Sequence, residues 1–508
     1  MDKYIIGIDI GSSNVVMAVG EKKENGEISV LGVEVQPIED GVKDGDVANY
    51  LALGDAIAKA KNALESDLNL RLNSAYVGIS GRSVYCVRYE DYVDINRKTG
   101  CVTEVDMREL EARIDMVVPA GADQIIQRIP LRYSVDDRKD VQNPLGSFGR
   151  KLWGTYLLVI VGRHQVSKVE QALHRAEISN CGLCVNPTLL PDLLLTPDEQ
   201  EEGVVLVDLG GDLTDISVVC ENKLWYFSSL PIGASSINND LHDFLRIQKK
   251  DINPIKHKYG AAIAEYVPDN ISIPVKTAGH AKKQILQRNI AEITEERLKD
   301  IAQFVLRELK GAKFMNKVPC GVVLTGGSAY LSNIEQLFAR ELNMEVRLGK
   351  MLNGVDDDSQ QMLAAYPQAV AISLLLYGAK HKACNVVPKT QLYQTPIETK
   401  EEPKTTTETK TIFDVVDTTT PPETVVTPPT KAEETTTVKV DEPKEKNGEG
   451  ENNTDNENSG KDENSGKDEN SGKNENKNNG NKVTGKMGGL IGRLKDVINK
   501  AFEPDPMI

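Results

Sequence analysis

Residues 4–19 read YIIGIDIGSSNVVMAV: an apolar, β-branched run, a turn of small polar residues, and a second apolar run. The pattern predicts strand, tight turn, strand. Residues 204–219, VVLVDLGGDLTDISVV, repeat that design around Asp208, Gly210 and Gly211. Two such hairpins predict a duplicated α/β domain whose halves face a shared cleft. Residues 28–35 extend the first meander. Residues 46–68 have helical spacing, with Leu51, Leu53, Ile57, Ala60 and Leu64 on one side. Residues 74–79 form another strand, closing in GISG at 78–81. From 82 to 163 strand-like and helix-like pieces, 105–117 and 153–161 among them, alternate without a phosphate loop, so this stretch reads as an inserted subdomain. A helix over 165–178 leads into the second half. There 238–244 opens a helical region, 272–275 is extended, and 284–314 is a long helix with Ile285, Ile290, Ile293, Leu298, Ile301, Val305 and Leu309 apolar. A third glycine loop, GVVLTGGSA at 321–329, follows a short apolar strand and precedes a helical pattern. The buried helix over 368–378 carries Ala371 and Ser373, small enough for the close packing that a hinge needs.

The turns carry the candidate chemistry. Successive backbone N–H groups in a turn such as Asp9-Ile10-Gly11-Ser12-Ser13 converge on an anion, and Gly11 allows close approach. Ser12 and Ser13 add hydroxyl donors. Asp9 would repel a phosphate, so its role is to hold Mg²⁺ through water. Gly326 and Gly327 leave a flat backbone surface suited to a base and sugar.

Beyond residue 385 the core pattern ends. From 401 to 501 the only aromatic is Phe413, and 457–473 repeats ENSGKD with a period of six. Such a segment buries too little apolar surface to offset its ordering entropy, so 386–484 reads as a disordered linker, spanning about 50 Å on average. Of the net charge of −16, residues 401–484 contribute −9, with 20 acidic and 11 basic side chains. That balance speaks against a nucleic-acid partner. Residues 485–502, GKMGGLIGRLKDVINKAF, then place Leu490, Ile491, Leu494, Val497, Ile498, Ala501 and Phe502 on one helical face, with Arg493 and Lys495 among the cations of a +3 stretch. A short basic amphipathic helix at the end of a long tether suits an anionic membrane surface. No apolar run reaches transmembrane length and no signal peptide is expected. The seven scattered cysteines fit a reduced cytosolic setting, and Cys181-Gly-Leu-Cys184, lacking a second pair, reads as structural.

The loops D-x-G, D-x-G-G and T-G-G-x-A, in that order, resemble the nucleotide site of the actin-like ATPase superfamily of actin, DnaK-type chaperones, sugar kinases and bacterial filament proteins. Together with NPLG at 143–146, PIGA at 231–234, the insert after GISG, and the linker-plus-helix ending, the chain resembles the FtsA family, bacterial actin homologues that tie the FtsZ ring to the cytoplasmic membrane. The resemblance implies an actin-like ATPase fold of two ribonuclease H-like domains with an FtsA-type insert. It divides the chain at 1–81, 82–163, 164–237, 238–316, 317–385, 386–484 and 485–502. It implies ATP with Mg²⁺ as cofactor. Asp9, Gly11, Ser12, Ser13 and Asn14 would form the first phosphate loop, and Asp208, Gly210, Gly211 and Asp215 the second. Gly326, Gly327 and Ala329 would line the adenosine, with Asn253 and Lys256 near ribose and base. Asp9 and Asp208 would hold the metal through water. The implied partners are the FtsZ C-terminal peptide, other division proteins and further copies of the chain in a protofilament, at the cytoplasmic face of the membrane at the division site. Lys282, Lys283 and Arg288 are candidates for the acidic peptide, weighed against a solvated helix face.

One departure stands out. The family pattern D-x-G-G-G-T-x-D becomes Asp208-Leu-Gly210-Gly211-Asp212-Leu213-Thr214-Asp215. A carboxylate at 212 near the terminal phosphates would repel them unless it points away or engages the metal, so weaker or more Mg²⁺-dependent ATP binding is expected. No hydrolytic residue is identified. The alternatives are a sugar- or acetate-type kinase and a pilus-type actin homologue on the same fold.

Overall fold

A computed structural model of the 508-residue chain describes residues 3–388, apart from 97, 99, 120, 122, 278–281, 352–353, 364–367, 382–383 and 385. The first hairpin is β1 (Tyr4–Ile10) and β2 (Asn14–Lys22), antiparallel with Ile10 opposite Val15. β3 (Ile28–Pro37) completes the meander. Next comes a small hairpin, β4 (Val42–Lys43) and β5 (Asp46–Val47), where helical spacing predicted the start of a helix. Its two turn residues, Asp44 and Gly45, both have left-handed φ, 49° and 79°. That is the backbone an Asp-Gly hairpin turn adopts. The helix α1 (Tyr50–Leu68) starts late because Asn49 caps it, accepting from the amides of Leu51 and Ala52 at 3.0 and 3.4 Å. Leu53, Ile57, Ala60 and Leu64 are buried as the spacing predicts, while Leu51, in the first turn, is exposed. β6 (Leu70–Leu72) follows, and β7 (Ser74–Ile79) runs parallel to β1.

The insert comprises β8 (Val84–Asp94), α2 (Glu104–Asp115), β9 (Gln124–Val135), β10 (Arg138–Val141) and β11 (Lys151–Val161), in the strand order β10-β9-β11-β8. Leu110 and Ile114 of α2 pack into its two small cores. α3 (Arg163–Arg175) returns the chain to the first sheet, where β12 (Ser179–Val185), carrying Cys181 and Cys184, pairs with β7. α4 (Asn186–Leu194) and α5 (Pro197–Glu202) lead to the second half.

There β13 (Val204–Leu209), β14 (Thr214–Cys220) and β15 (Lys223–Leu230) form the second meander. α6 (Ala234–Leu245), α7 (Lys249–Tyr259), the hairpin β16 (Ser272–Lys276) and β17 (Lys282–Leu286), and α8 (Gln287–Gly311) build its outer part. The long helix therefore starts at 287 rather than 284. Ile285 is buried from a strand instead, opposite Ile273. β18 (Val322–Thr325), α9 (Ile334–Leu342) and β19 (Val346–Leu348) complete the second sheet. α10 (Asp357–Leu363), α11 (Ala369–Lys380) and β20 (Val386–Pro388) follow, with β20 pairing to β6.

The two sheets share one topology. The orders β3-β2-β1-β7-β12 and β15-β14-β13-β18-β19 each put an antiparallel meander beside two parallel strands. This is the duplication expected from the paired hairpins, in the actin-like arrangement that the resemblance implies. α11 lies directly on β1: a Cβ at Gly7 would sit 2.7 Å from Leu374 Cβ and 2.8 Å from the Ala371 carbonyl oxygen. Apart from 386–388, the linker 386–484 and the helix 485–502 lie outside the described residues. Among the described residues no helix is long and apolar enough to cross a membrane.

Candidate functional site

Both hairpin turns and the third glycine loop open into one cleft holding a cavity of about 320 Å³. Asp9, Gly11, Ser12, Ser13 and Asn14 line one wall, and Asp208, Gly210, Gly211 and Asp215 the other. The first turn is closed by the Gly11 amide donating to the Asn14 carbonyl at 3.0 Å. The second is tied to α6, where the amides of Ala234 and Ser235 donate to the carbonyls of Gly210 and Gly211 at 3.0 and 2.8 Å. The two loops nearly touch, since a Cβ on Gly211 would lie 2.8 Å from Ser13 Oγ.

Gly326 and Gly327 are glycines for different reasons. Gly326 has φ 89°, and a Cβ there would sit 2.3 Å from Asp208 Oδ1. The fold needs glycine at that position. At Gly327 a Cβ would meet nothing within 4 Å, so its bare backbone simply faces the cleft. Ala329 is buried behind that loop, and the cleft is lined instead by Ser328. Asn253 and Lys256 reach the cleft from α7.

The electrostatics are those of a site prepared for ligand. Burial pushes the carboxyl of Asp9 up to about 7, against a hydrogen bond from Asn186 Nδ2 at 3.2 Å and with added repulsion from Asp215. Burial, then Asp215 and Asp9, pushes Asp208 up to about 8. Burial also raises Asp215, although Ser80 Oγ donates to its Oδ2 at 2.6 Å. Four buried polar atoms in the cleft have no partner among the described residues: Asn186 Oδ1, Asp215 Oδ1, Asn238 Oδ1 and Ser328 Oγ. Lys256 is 2% exposed, and burial lowers its ammonium to about 8, with no carboxylate among the described residues offsetting it. Three carboxylates beside unpaired acceptors fit a hydrated divalent cation. Among the described residues no three His, Cys, Asp or Glu side chains are arranged to ligate one ion directly.

Ser80, Asn186, Asn238 and Ser328 were not picked out from sequence. Ser80 lies within the GISG stretch. Asn186 precedes a proline at the start of α4, a local signal for a helix start and not for a site.

The partner candidates lie elsewhere. Lys282 and Lys283 are exposed on β17, not on a helix, and form no ion pair among the described residues. Arg288, in the first turn of α8, is already engaged by Asp269 and by Glu292 at 3.3 Å. Asp212 does not line the cleft. Its Oδ1 accepts from Ser235 Oγ at 2.6 Å and its Oδ2 from the Asp44 amide at 3.1 Å. Both carboxylate oxygens thus carry a donor, although Ser235 and Gly45 beside them line the cavity.

The family described as "Cell division protein FtsA" matches residues 205–369, and that described as "SHS2 domain inserted in FTSA" matches residues 81–160, the insert. FtsA of Pseudomonas aeruginosa is 29% identical over 389 residues, covering 75% of this chain and 90% of that protein. FtsA of Escherichia coli K12 is 26% identical over 393 residues, covering 74% and 90%. Among solved structures, the PilM-PilN type IV pilus biogenesis complex contains a similarly folded chain, with a TM-score of 0.52 at 15% identity over 74% of this chain and 98% of that one. With both halves, the cleft and the insert accounted for, this chain is similar to the FtsA cell division proteins along nearly all of its described length.

Proposed function

We propose that the cleft binds ATP with Mg²⁺, and that the chain uses this to assemble as a membrane tether for the FtsZ ring. The observation that carries the nucleotide reading is the convergence of three glycine loops on four buried, unpartnered polar atoms and an uncompensated Lys256. The phosphates would take the loop amides and the serine hydroxyls. Asp9 and Asp208 would orient the waters of the cation, whose charge offsets both carboxylates and phosphates. Nucleotide bound to both loops would add to the contacts between the halves and favour protofilament contacts. The exposed Lys282 and Lys283 would face the acidic FtsZ tail, and the apolar face of 490–502 would enter the membrane surface. One short helix binds weakly, so several copies in a polymer supply the avidity. A phosphotransfer role has no use for such an ending.

The test is calorimetric titration with ATP, with Mg²⁺ and with EDTA, on the parent chain, Gly327→Val and Gly326→Ala. The parent is expected to bind only with Mg²⁺. Gly327→Val is expected to retain its melting temperature and lose binding, because its side chain enters space that only ligand fills. Gly326→Ala is expected to lose stability by roughly 1–3 kcal/mol from backbone strain. Unchanged ATP affinity in Gly327→Val, or no binding by the parent, would overturn the nucleotide reading.

A further inference from the structure

We propose that Asp212 and Leu213 are positioning residues. They clamp the second phosphate loop to the Asp44-Gly45 hairpin of the first half, so that the phosphate end of the cleft is closed before nucleotide arrives. The hairpin belongs firmly to the first half. The Val47 amide donates to Gln165 Oε1 at 2.8 Å, Lys168 Nζ to the Val47 carbonyl at 2.7 Å, and Ser83 Oγ to Asp46 Oδ1 at 2.6 Å. Its tip is wedged between Leu213 of the second half and the Ser80-Gly81 backbone of the first. A Cβ at Gly45 would stand 2.4 Å from Leu213 Cδ1, 2.6 Å from Gly81 Cα and 2.7 Å from the Ser80 carbonyl oxygen. Leu213 is 5% exposed.

Asp212 completes the connection. One carboxylate oxygen takes the Ser235 hydroxyl, and Ser235 itself hangs from the loop through its amide on Gly211. The other oxygen takes the Asp44 amide across the junction. A charged acceptor shared by two donors makes a stronger contact than a neutral one. The pair therefore joins loop, α6 and hairpin into one bonded unit, and leaves Ser13 and Gly211 face to face. A cleft already ordered spends less binding energy on ordering when a ligand enters. This reverses the sign expected from sequence: replacing Asp212 with glycine should weaken ATP binding, not strengthen it. That consequence rests on the nucleotide reading above; the clamp itself does not.

The test is hydrogen–deuterium exchange on the nucleotide-free full-length chain, followed by ATP titration, for the parent, Asp212→Ala and Leu213→Ala. Peptides from β13 and β18 report whether each variant is folded. In the parent the 41–47 peptide, which contains the Asp44 amide, is expected to exchange slowly without nucleotide. In both variants it should exchange on the order of tenfold faster, with core peptides unchanged and ATP affinity reduced on the order of tenfold, as loss of a charged hydrogen bond would give. The clamp is overturned if the parent's 41–47 peptide is protected only after ATP is added, or if it exchanges equally fast in parent and variants. If no protein binds ATP, the nucleotide reading fails while the exchange rates still decide the clamp.

Discussion

At the scale of single residues, the informative ones are buried polar and charged groups in the cleft left without a partner among the described residues. Lys256 is the clearest. A buried ammonium without a counter-charge costs the empty protein stability, and such groups are retained where they act. Lys256→Met is therefore expected to raise the melting temperature of the ligand-free protein and to weaken ATP binding by about tenfold or more. A lower melting temperature with unchanged ATP affinity would make Lys256 a structural cation. Asp9 and Asp208 were legible in the sequence because each sits beside a glycine turn between two apolar strands, and Asp215 through the family resemblance. Asn186 and Ser80 were not. Their roles come from Asp9 and Asp215, which lie 177 and 135 residues away along the chain, and no local pattern encodes that.

At the scale of elements, periodicity located the two glycine-turn hairpins, β3, β7, β11 and the longer helices, but not β8, β9, β15, β17, α4 or α5, and it failed outright where turn chemistry or pairing overrode it. The Asp44-Gly45 hairpin was masked by the helical spacing that follows, although Asp-Gly between short β-prone pieces is itself a hairpin signal. Ile285 fitted the apolar stripe of α8 but is used by β17, because β16 offers it a partner strand. The same helix carries a buried contact that spacing does not announce. Arg297, 4% exposed, donates to both oxygens of Asp240 on α6 at 2.7 and 3.0 Å. Burial raises the Asp240 carboxyl even with that partner present, so the pair is costly to break. Asp240→Ala is expected to lower unfolding stability by about 3–5 kcal/mol in urea titration, and Asp240→Leu with Arg297→Met to recover most of it. Equal losses in both variants would contradict the pairing account.

At the scale of the molecule, two sheets of one topology place three loops at a single cleft, and the insert marks the family. The repeat was legible because each hairpin is local; how closely the loops approach was not, since it depends on packing between halves. The tether claim reaches beyond the cleft to 485–502, and flotation measures it most directly. FtsZ, ATP, Mg²⁺ and anionic liposomes would be mixed with the full-length chain or with a chain ending at Thr484. The account predicts that FtsZ rises with the liposomes only when the full-length chain is present. FtsZ left at the bottom of the gradient with the full-length chain, or rising equally with the shortened one, would contradict it.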